Sequence, residues 1–267
     1  MENTMINITN CGHDSHHRIS CDIEHKDGLP EYLLLIVKTS AWFQIQNRRM
    51  TTEPNMVILF DKHTYIHYGC PHPDYNDDWI HFTLDEPVDI SWFMTLNLPM
   101  NQPLYPPDIR RLSHLVQSMT REFRFPAGHS RQVLHSLMQS LLHMLTEDLA
   151  RADQLFYQNK HYPAFLKLRT GLYNNPSQTL SVDDMARSLN LSVSYFQHMY
   201  KDFFATSPQT DVIHARLELA KFYLTHSSMS IHALSSFCGY SNEIHFMRQF
   251  KKFEGITPSE FRNKILS

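Results

Sequence analysis

No apolar run in this 267-residue chain approaches the roughly 20 residues that a membrane-spanning helix requires. The first residues, Met1 to Cys11, are polar and do not read as a secretory signal. Only four cysteines occur, at positions 11, 21, 70 and 238, and they share neither a disulfide-framework spacing nor a zinc-ligand spacing. Free thiols in a reducing compartment are expected, and with them a soluble, cytoplasmic protein that has no membrane partner. A strong excess of one charge is also missing, since 24 Lys and Arg stand against 27 Asp and Glu for a net charge of −3. What is present is length and apolar content: 42% hydrophobic residues over 267 positions can fill two ordinary domain cores.

The small net charge hides a division. Residues 161 to 267 carry 11 Lys and Arg against 8 Asp and Glu, and residues 1 to 160 carry 13 against 19. The C-terminal part is therefore modestly basic, which suits a polyanionic partner contacted at few phosphates per chain.

From about Ile19 to Phe93 short segments rich in β-branched and aromatic residues alternate with turn formers. Tyr32 to Lys38, Ala41 to Ile45, Met56 to Phe60, Tyr65 to Tyr68 and Trp79 to Leu84 read as closely spaced strands. This pattern predicts a small antiparallel β-barrel or double-sheet jelly roll of cupin-like architecture. Two flanking helices follow, one marked by Ile109, Leu112, Leu115, Val116, Met119 and Phe123, the other by Val133, Leu134, Leu137, Met138, Leu141, Leu142, Leu145 and Leu149. Pro126-Ala127-Gly128 separates them. The second stripe is wide enough to cover the barrel and still offer a face to a second copy.

Twelve of the 18 histidines lie in this half, and His63, His67 and His72 are close together. A metal-dependent cupin-type enzyme would need a His-x-His pair on one strand with a carboxylate a few residues on. His63 and His67 are four apart, and no Glu follows at a suitable distance. The expectation is no metal, no cofactor and no catalytic residue.

The last hundred residues contain one pattern twice. The first copy runs Val182, Met185, Ala186, Leu189, Asn190, Leu191, Ser192, Phe196 and Tyr200; the second runs Ile231, Leu234, Ser235, Cys238, Gly239, Tyr240, Ser241, Phe246 and Phe250. Each reads as a short helix, a tight turn through a residue that tolerates positive φ (Asn190 or Gly239), a Ser N-cap (Ser192 or Ser241) and a second helix held by aromatics. Between the copies, Gln209 to His226 has helical periodicity behind the start signal Ser207-Pro208, so a stiff helix joins the two helix-turn-helix units. Two recognition helices about one DNA turn apart, roughly 34 Å, can enter successive major grooves on one face of a duplex.

Residues from about 166 to 267 resemble the DNA-binding domain of the AraC/XylS family of bacterial transcription regulators. The resemblance rests on Cys238-Gly239-Tyr240-Ser241-Asn242, on Phe246-x-Arg248-x-Phe250-Lys251-Lys252-Phe253, and on Gly255-Ile256-Thr257-Pro258-Ser259-Glu260-Phe261-Arg262. Two positions depart from the family pattern: Ala205 stands where Gly is usual, and His198 stands where a basic residue is common.

With Phe246, Phe250 and Phe253 inward, Glu243, Ile244, Met247, Arg248 and Lys251 are left facing out, and the resemblance places the first four against base edges or nearby backbone. Arg248 has the chemistry to bond guanine O6 and N7 bidentately. In the first copy Ser194, Gln197, His198 and Lys201 face out; Gln197 suits adenine and Lys201 suits phosphate. Read without the resemblance, each of these is equally a solvated surface residue.

The resemblance extends more weakly to the N-terminal half, where Ile66-His67-Tyr68-Gly69 and Asp77-Asp78-Trp79-Ile80-His81-Phe82 look like the strand pair lining the effector pocket of the sugar-responsive branch. Trp79 would stack on a sugar's apolar face while Lys38, Tyr68 and His81 bond its hydroxyls, although Trp79 and Tyr68 also read as core or rim residues. The expected chain is thus α+β with two domains: residues 1–150 sense an effector and dimerise, 151–165 link, and 166–267 read DNA. By resemblance it is an activator, a homodimer on double-stranded promoter DNA that meets RNA polymerase and responds to a small molecule such as a carbohydrate. Two alternatives stay open for the N-terminal half, a metal-dependent enzyme or a module that only dimerises.

Overall fold

A computed structural model describes residues 6–17, 21–45, 48–70, 75–84, 87–178 and 180–266. The chain divides into two compact units, Met1–Gln158 and Asn159–Ser267.

The described residues of the first unit hold eight strands: β1 (Asn7–His17), β2 (Asp22–His25), β3 (Tyr32–Val37), β4 (Ala41–Ile45), β5 (Arg48–Thr52), β6 (Met56–Phe60), β7 (Ile66–Gly69) and β8 (Tyr75–Thr83). They pair antiparallel into two four-stranded sheets, ordered β1-β8-β3-β6 and β2-β7-β4-β5. Among the described residues no strand pairing joins the sheets, so this is a pair of facing sheets and not one closed barrel.

β3 and β6 show no alternation of apolar and polar residues because both of their faces are covered. Leu34, Ile36, Val57 and Leu59 pack with Ile80 and Phe82 against helices. Leu33, Leu35, Met56, Ile58 and Phe60 pack with Phe43, Ile66 and Tyr68 of the other sheet. Each fully buried aliphatic side chain contributes about 2 kcal/mol of transfer free energy, which makes this doubly covered pair of strands the stable centre of the unit.

Three helices follow, α1 (Pro87–Thr95), α2 (Arg110–Arg124) and α3 (Ser130–Gln158). The two expected helices are there, while α1 was not foreseen. Met138, Leu141, Leu142 and Leu145 of α3 are buried in the helix-side core, and Leu134, Leu137 and Leu149 lean on it. Most of the leucine stripe is therefore consumed within the chain, with Val133 left 40% exposed. The expected link over residues 151–165 is mostly helical: α3 runs through Gln158 and the next helix begins at Tyr162.

The second unit is all helical: α4 (Tyr162–Asn174), α5 (Val182–Ser188), α6 (Val193–Phe204), α7 (Pro208–His226), α8 (Ile231–Phe237), α9 (Glu243–Glu254) and α10 (Pro258–Leu266). Side-chain caps set the starts of α5 to α9, whereas α4 begins without one. Ser181 and Asp184 form a capping box on α5, and Ser192, Ser207 and Ser230 accept from the backbone at α6, α7 and α8. The cap of α9 is Asn242 and not Ser241: its Oδ1 accepts from Ile244 N at 2.8 Å and His245 N at 3.2 Å. The one-residue insertion in the second turn moves the cap one place on. Measured from the caps, Phe196 and Phe246 then occupy the same position, as do Tyr200 and Phe250.

Two small aromatic cores sit along α7. Phe165 of α4 stacks on Phe196 at 5.2 Å and meets Phe203 edge-on at 5.1 Å. Farther along, Leu217, Ala220 and Leu224 of α7 pack with Leu234, Phe246 and Phe250.

Candidate nucleic-acid interface

In both copies the turn before the recognition helix is built the same way. Asn190 has φ +56° and Leu191 N donates to Ala186 O at 2.9 Å; Gly239 has φ +83° and Tyr240 N donates to Ser235 O at 2.9 Å. The left-handed residue reverses the chain within one step, so that the second helix leaves with one face free.

On α6, Phe196, Met199, Tyr200 and Phe203 are buried, and Ser194, Gln197, His198 and Lys201 are exposed in an i, i+3, i+4, i+7 row. His198 Nε2 lies 3.3 Å from Asp202 Oδ2. Tyr195, 44% exposed beside this row, was missed because its aromatic character reads as core.

On α9, Ile244, Arg248 and Lys251 are exposed along one stripe, and Ile244 is 54% exposed despite its apolar side chain. The other two sequence candidates are withdrawn from it. Glu243 is half-buried with Oε2 at 3.0 Å from His232 Nδ1, and Met247 is half-buried against the core. His245 and Lys252, also exposed, escaped the sequence reading. Position by position Lys201 corresponds to Lys251 and His198 to Arg248. The second helix therefore displays three cationic side chains, Arg248, Lys251 and Lys252, where the first displays Lys201 and a His beside a carboxylate.

Behind α6 lies a buried polar network that local sequence patterns could not reveal, since its members come from three helices and lie 11 to 42 residues from Asp211. Arg169 Nε donates to Asp211 Oδ2 at 2.8 Å, and the Tyr200 and Tyr173 hydroxyls donate to the same carboxylate at 2.9 and 3.1 Å. From the start of α7 the Asp211 carboxylate accepts bonds from α4 and α6 at once, which fixes the backs of these three helices against each other.

The four effector candidates do not converge. Lys38 Nζ is held by Asp78 Oδ1 at 2.8 Å and Asp14 Oδ1 at 3.0 Å. Asp78 pairs with Ile36 on the helix-facing side of its sheet, whereas Trp79 pairs with Leu35 on the inter-sheet side. Lys38 thus serves the wrong face, a displacement of one residue in a period of two. Tyr68 is buried, stacked on Phe43 at 5.2 Å. Trp79 and His81 stay together, with rings 5.5 Å apart; the indole donates to Ser15 Oγ at 3.0 Å and His81 Nδ1 lies 2.8 Å from Glu31 Oε1.

The inter-sheet side also holds a polar group outside the sequence candidates. Tyr75 OH donates to Asp77 Oδ2 at 2.9 Å, His17 Nε2 lies 3.2 Å from Asp77 Oδ1, and the Tyr68 ring lies 6.0 Å from that of Tyr75. Burial pushes the Asp77 carboxyl up from its ordinary range, against the His17 and Tyr75 hydrogen bonds, which favour the charged form. Among the described residues no group of three or more His, Cys, Asp or Glu is arranged to hold a metal ion. His63 is exposed in a turn with φ +56°, His67 Nε2 lies 2.7 Å from Asp22 Oδ1, and His72 lies outside the described residues.

Residues 185–264, which contain both turns and both recognition helices, match the family model described as a helix-turn-helix domain. The raffinose operon transcriptional regulatory protein of Pediococcus pentosaceus is 33% identical over 132 residues, 48% of this chain and 48% of that protein. The arabinose operon regulatory protein of Escherichia coli K12 is 23% identical over 248 residues, 90% of this chain and 83% of that protein. Residues 185–264 thus form an AraC-type helix-turn-helix domain. The match spans about half the length of the raffinose regulator. A solved AraC-type regulator from Chromobacterium violaceum, 28% identical, covers 40% of this chain and 96% of its own, with a TM-score of 0.36. The matched region includes the two departures noted in the sequence, His198 and Ala205, and both lie on or at the end of α6.

Proposed function

We propose that this protein is a sequence-specific transcription regulator of the AraC family that binds double-stranded DNA through α6 and α9. The observation that carries the reading is the pair of turns built on the same left-handed reversal, each followed by a capped helix whose outer face is exposed and polar or basic. Arg248 reads a base edge, Gln197 a second, and Lys201 and Lys251 hold phosphates; Ser194, His198 and Ile244 line the same faces. Glu243 and Met247 act at the margin, since both are partly withdrawn.

The N-terminal unit is proposed as a cupin-type double-sheet jelly roll that dimerises and takes a small hydroxylated effector, a sugar by analogy with relatives named for the raffinose and arabinose operons. The strand order β1-β8-β3-β6 over β2-β7-β4-β5 supports the jelly roll. Trp79 and His81 support the effector, and the Asp77 group adds donors and acceptors on the same inter-sheet side. The reading takes the protein to be a cytoplasmic activator that contacts RNA polymerase and carries no catalytic activity. Effector binding changes how the two DNA-reading domains of the dimer are held, and so which half-sites they span.

Sequencing of genomic DNA retained by the purified protein at near-physiological salt tests the reading. One enriched motif with two elements about one helical turn apart is expected; retention without any motif would refute sequence-specific reading. Thermal shift against a saccharide panel tests the effector, since a ligand of the folded state raises the melting temperature.

A further inference from the structure

The turn of the second helix-turn-helix unit touches the loop that leads into the first as well as α7. Gly239, the left-handed residue of the second turn, packs so closely on the loop ahead of α5 that a Cβ there would lie 2.7 Å from the Ser177 carbonyl oxygen and 3.1 Å from its Cα. Backbone fills that space, so nothing cheap can move aside. The same point lies 3.2 Å from a guanidinium nitrogen of Arg216. Arg216 leaves α7 at mid-length, donates Nε to the Pro176 carbonyl at 3.1 Å, and stands over the Tyr240 ring at 5.4 Å. One side chain thus engages the loop of the first unit, the joining helix and the turn of the second unit.

Neither end of α7 is loose. At its start Asp211 takes the Arg169 bond of α4 and the Tyr200 bond of α6. Farther along, Lys221 Nζ lies 2.8 Å from Glu218 and 3.8 Å from Glu254 at the end of α9. Between these anchors the first and second units would still pivot about the helix, each on its own small core. Arg216 stands where such a pivot would open.

We propose that Arg216 is a positioning residue that locks the two helix-turn-helix units at a single separation, so that α6 and α9 accept DNA elements of one spacing only. The lock rests on the DNA-reading function proposed above for its consequence, not for its geometry. Adding one base pair between two elements displaces the second by about 3.4 Å and turns it by about 35° around the duplex. A pivoting pair would follow that change, and a locked pair cannot. The planar fork of Arg bonds a carbonyl and stacks on a ring together, which a Lys ammonium does not reproduce.

The test uses the full chain with Cys70→Ser and spin labels at Asp202→Cys and Lys252→Cys, both exposed and on different recognition helices. Pulsed electron-spin distances without DNA are expected to give one narrow distribution in the parent and one about twofold broader in Arg216→Ala. Selection from randomised DNA is expected to return one spacing for the parent, with Arg216→Ala losing about tenfold of its discrimination against sites longer by one base pair. The half-element sequences stay unchanged. Equal widths and equal spacing selectivity in the two proteins would overturn the lock. Should Arg216→Ala lose its cooperative melt, Arg216→Lys carries the same comparison, and a Lys variant as narrow and selective as the parent overturns the lock equally. A parent that selects no motif would refute the regulator reading, while the label distances would still decide the lock.

Discussion

Ala205 and Gly255 hold the same place, the left-handed residue that ends a recognition helix, with φ +54° and +78° and with the cap N–H bonded to Lys201 O and Lys251 O respectively. Only one of them is glycine. Alanine in that conformation meets a steric cost that glycine avoids. Ala205→Gly is expected to stabilise the protein by about 0.5–1 kcal/mol after the entropy of the unfolded chain is counted. Thermal melts of the two proteins decide this; a lower melting temperature in the variant would show that α6 tolerates its alanine without strain.

Arg248 and Lys251 lie on one stripe of α9 but are expected to fail differently. Arg248→Ala should weaken binding to the selected operator by about 1–3 kcal/mol and relax preference at one base position. Lys251→Ala should weaken all sequences about equally and reduce the salt slope by about 1. Titrations at several salt concentrations separate the two, and an Arg248→Ala protein as selective as its parent would remove Arg248 from base reading.

The Arg169–Asp211 pair is buried on both sides, with side chains 6% and 0% exposed. Removing one partner of such a pair strands the other charge, so Arg169→Met is expected to cost about 3–5 kcal/mol. Denaturant unfolding measures this. A loss below about 1 kcal/mol, the worth of an ordinary hydrogen bond, would mean that Tyr200 and Tyr173 alone satisfy the carboxylate.

Asp77 gives the sheet unit a pH signature. Because burial raises its folded-state value, the folded protein holds this proton to higher pH than the unfolded chain does. The resulting stabilisation is complete below the unfolded value near 3.8 and is lost as pH climbs through the folded value. Asp77→Asn removes the titration, so the melting temperature of the variant relative to its parent is expected to rise from acid towards neutral pH. Parallel melting curves over that range would mean that Asp77 ionises at no cost.

The strands legible in the sequence were those with apolar or aromatic runs: β3, β4, β6, β7 and most of β8. β1, with Asn-Cys-Gly-His-Asp at its middle, β2, with Asp22 and Glu24, and β5, opening Arg48-Arg49, carry no such signal. All three lie at sheet edges, where a strand is covered less and its polar residues face water. The helix-turn-helix units were legible because their turns need particular backbone conformations, which Asn190 and Gly239 announce. Glu243 and Met247 were misplaced because a helical wheel sees neither His232 nor the rim of the core. Lys38 was misplaced because the inside and outside of a strand differ by a single residue. Arg169, Asp211 and Arg216 were invisible as partners, their contacts being made only after the chain has folded back on itself.

Since among the described residues the two sheets do not close on one another, four of their strands remain as borders where a foreign chain could add itself, and each border is defended in its own way. β1 is broken by irregular register after Ile8 and after Gly12. β6 has part of its border taken by the Val57–Leu104 bridge. β2 presents Asp22 and Glu24, and β5 presents Arg48 and Arg49. Residues that conceal three strands from a reader of the sequence thus keep copies of this protein from stacking into aggregates.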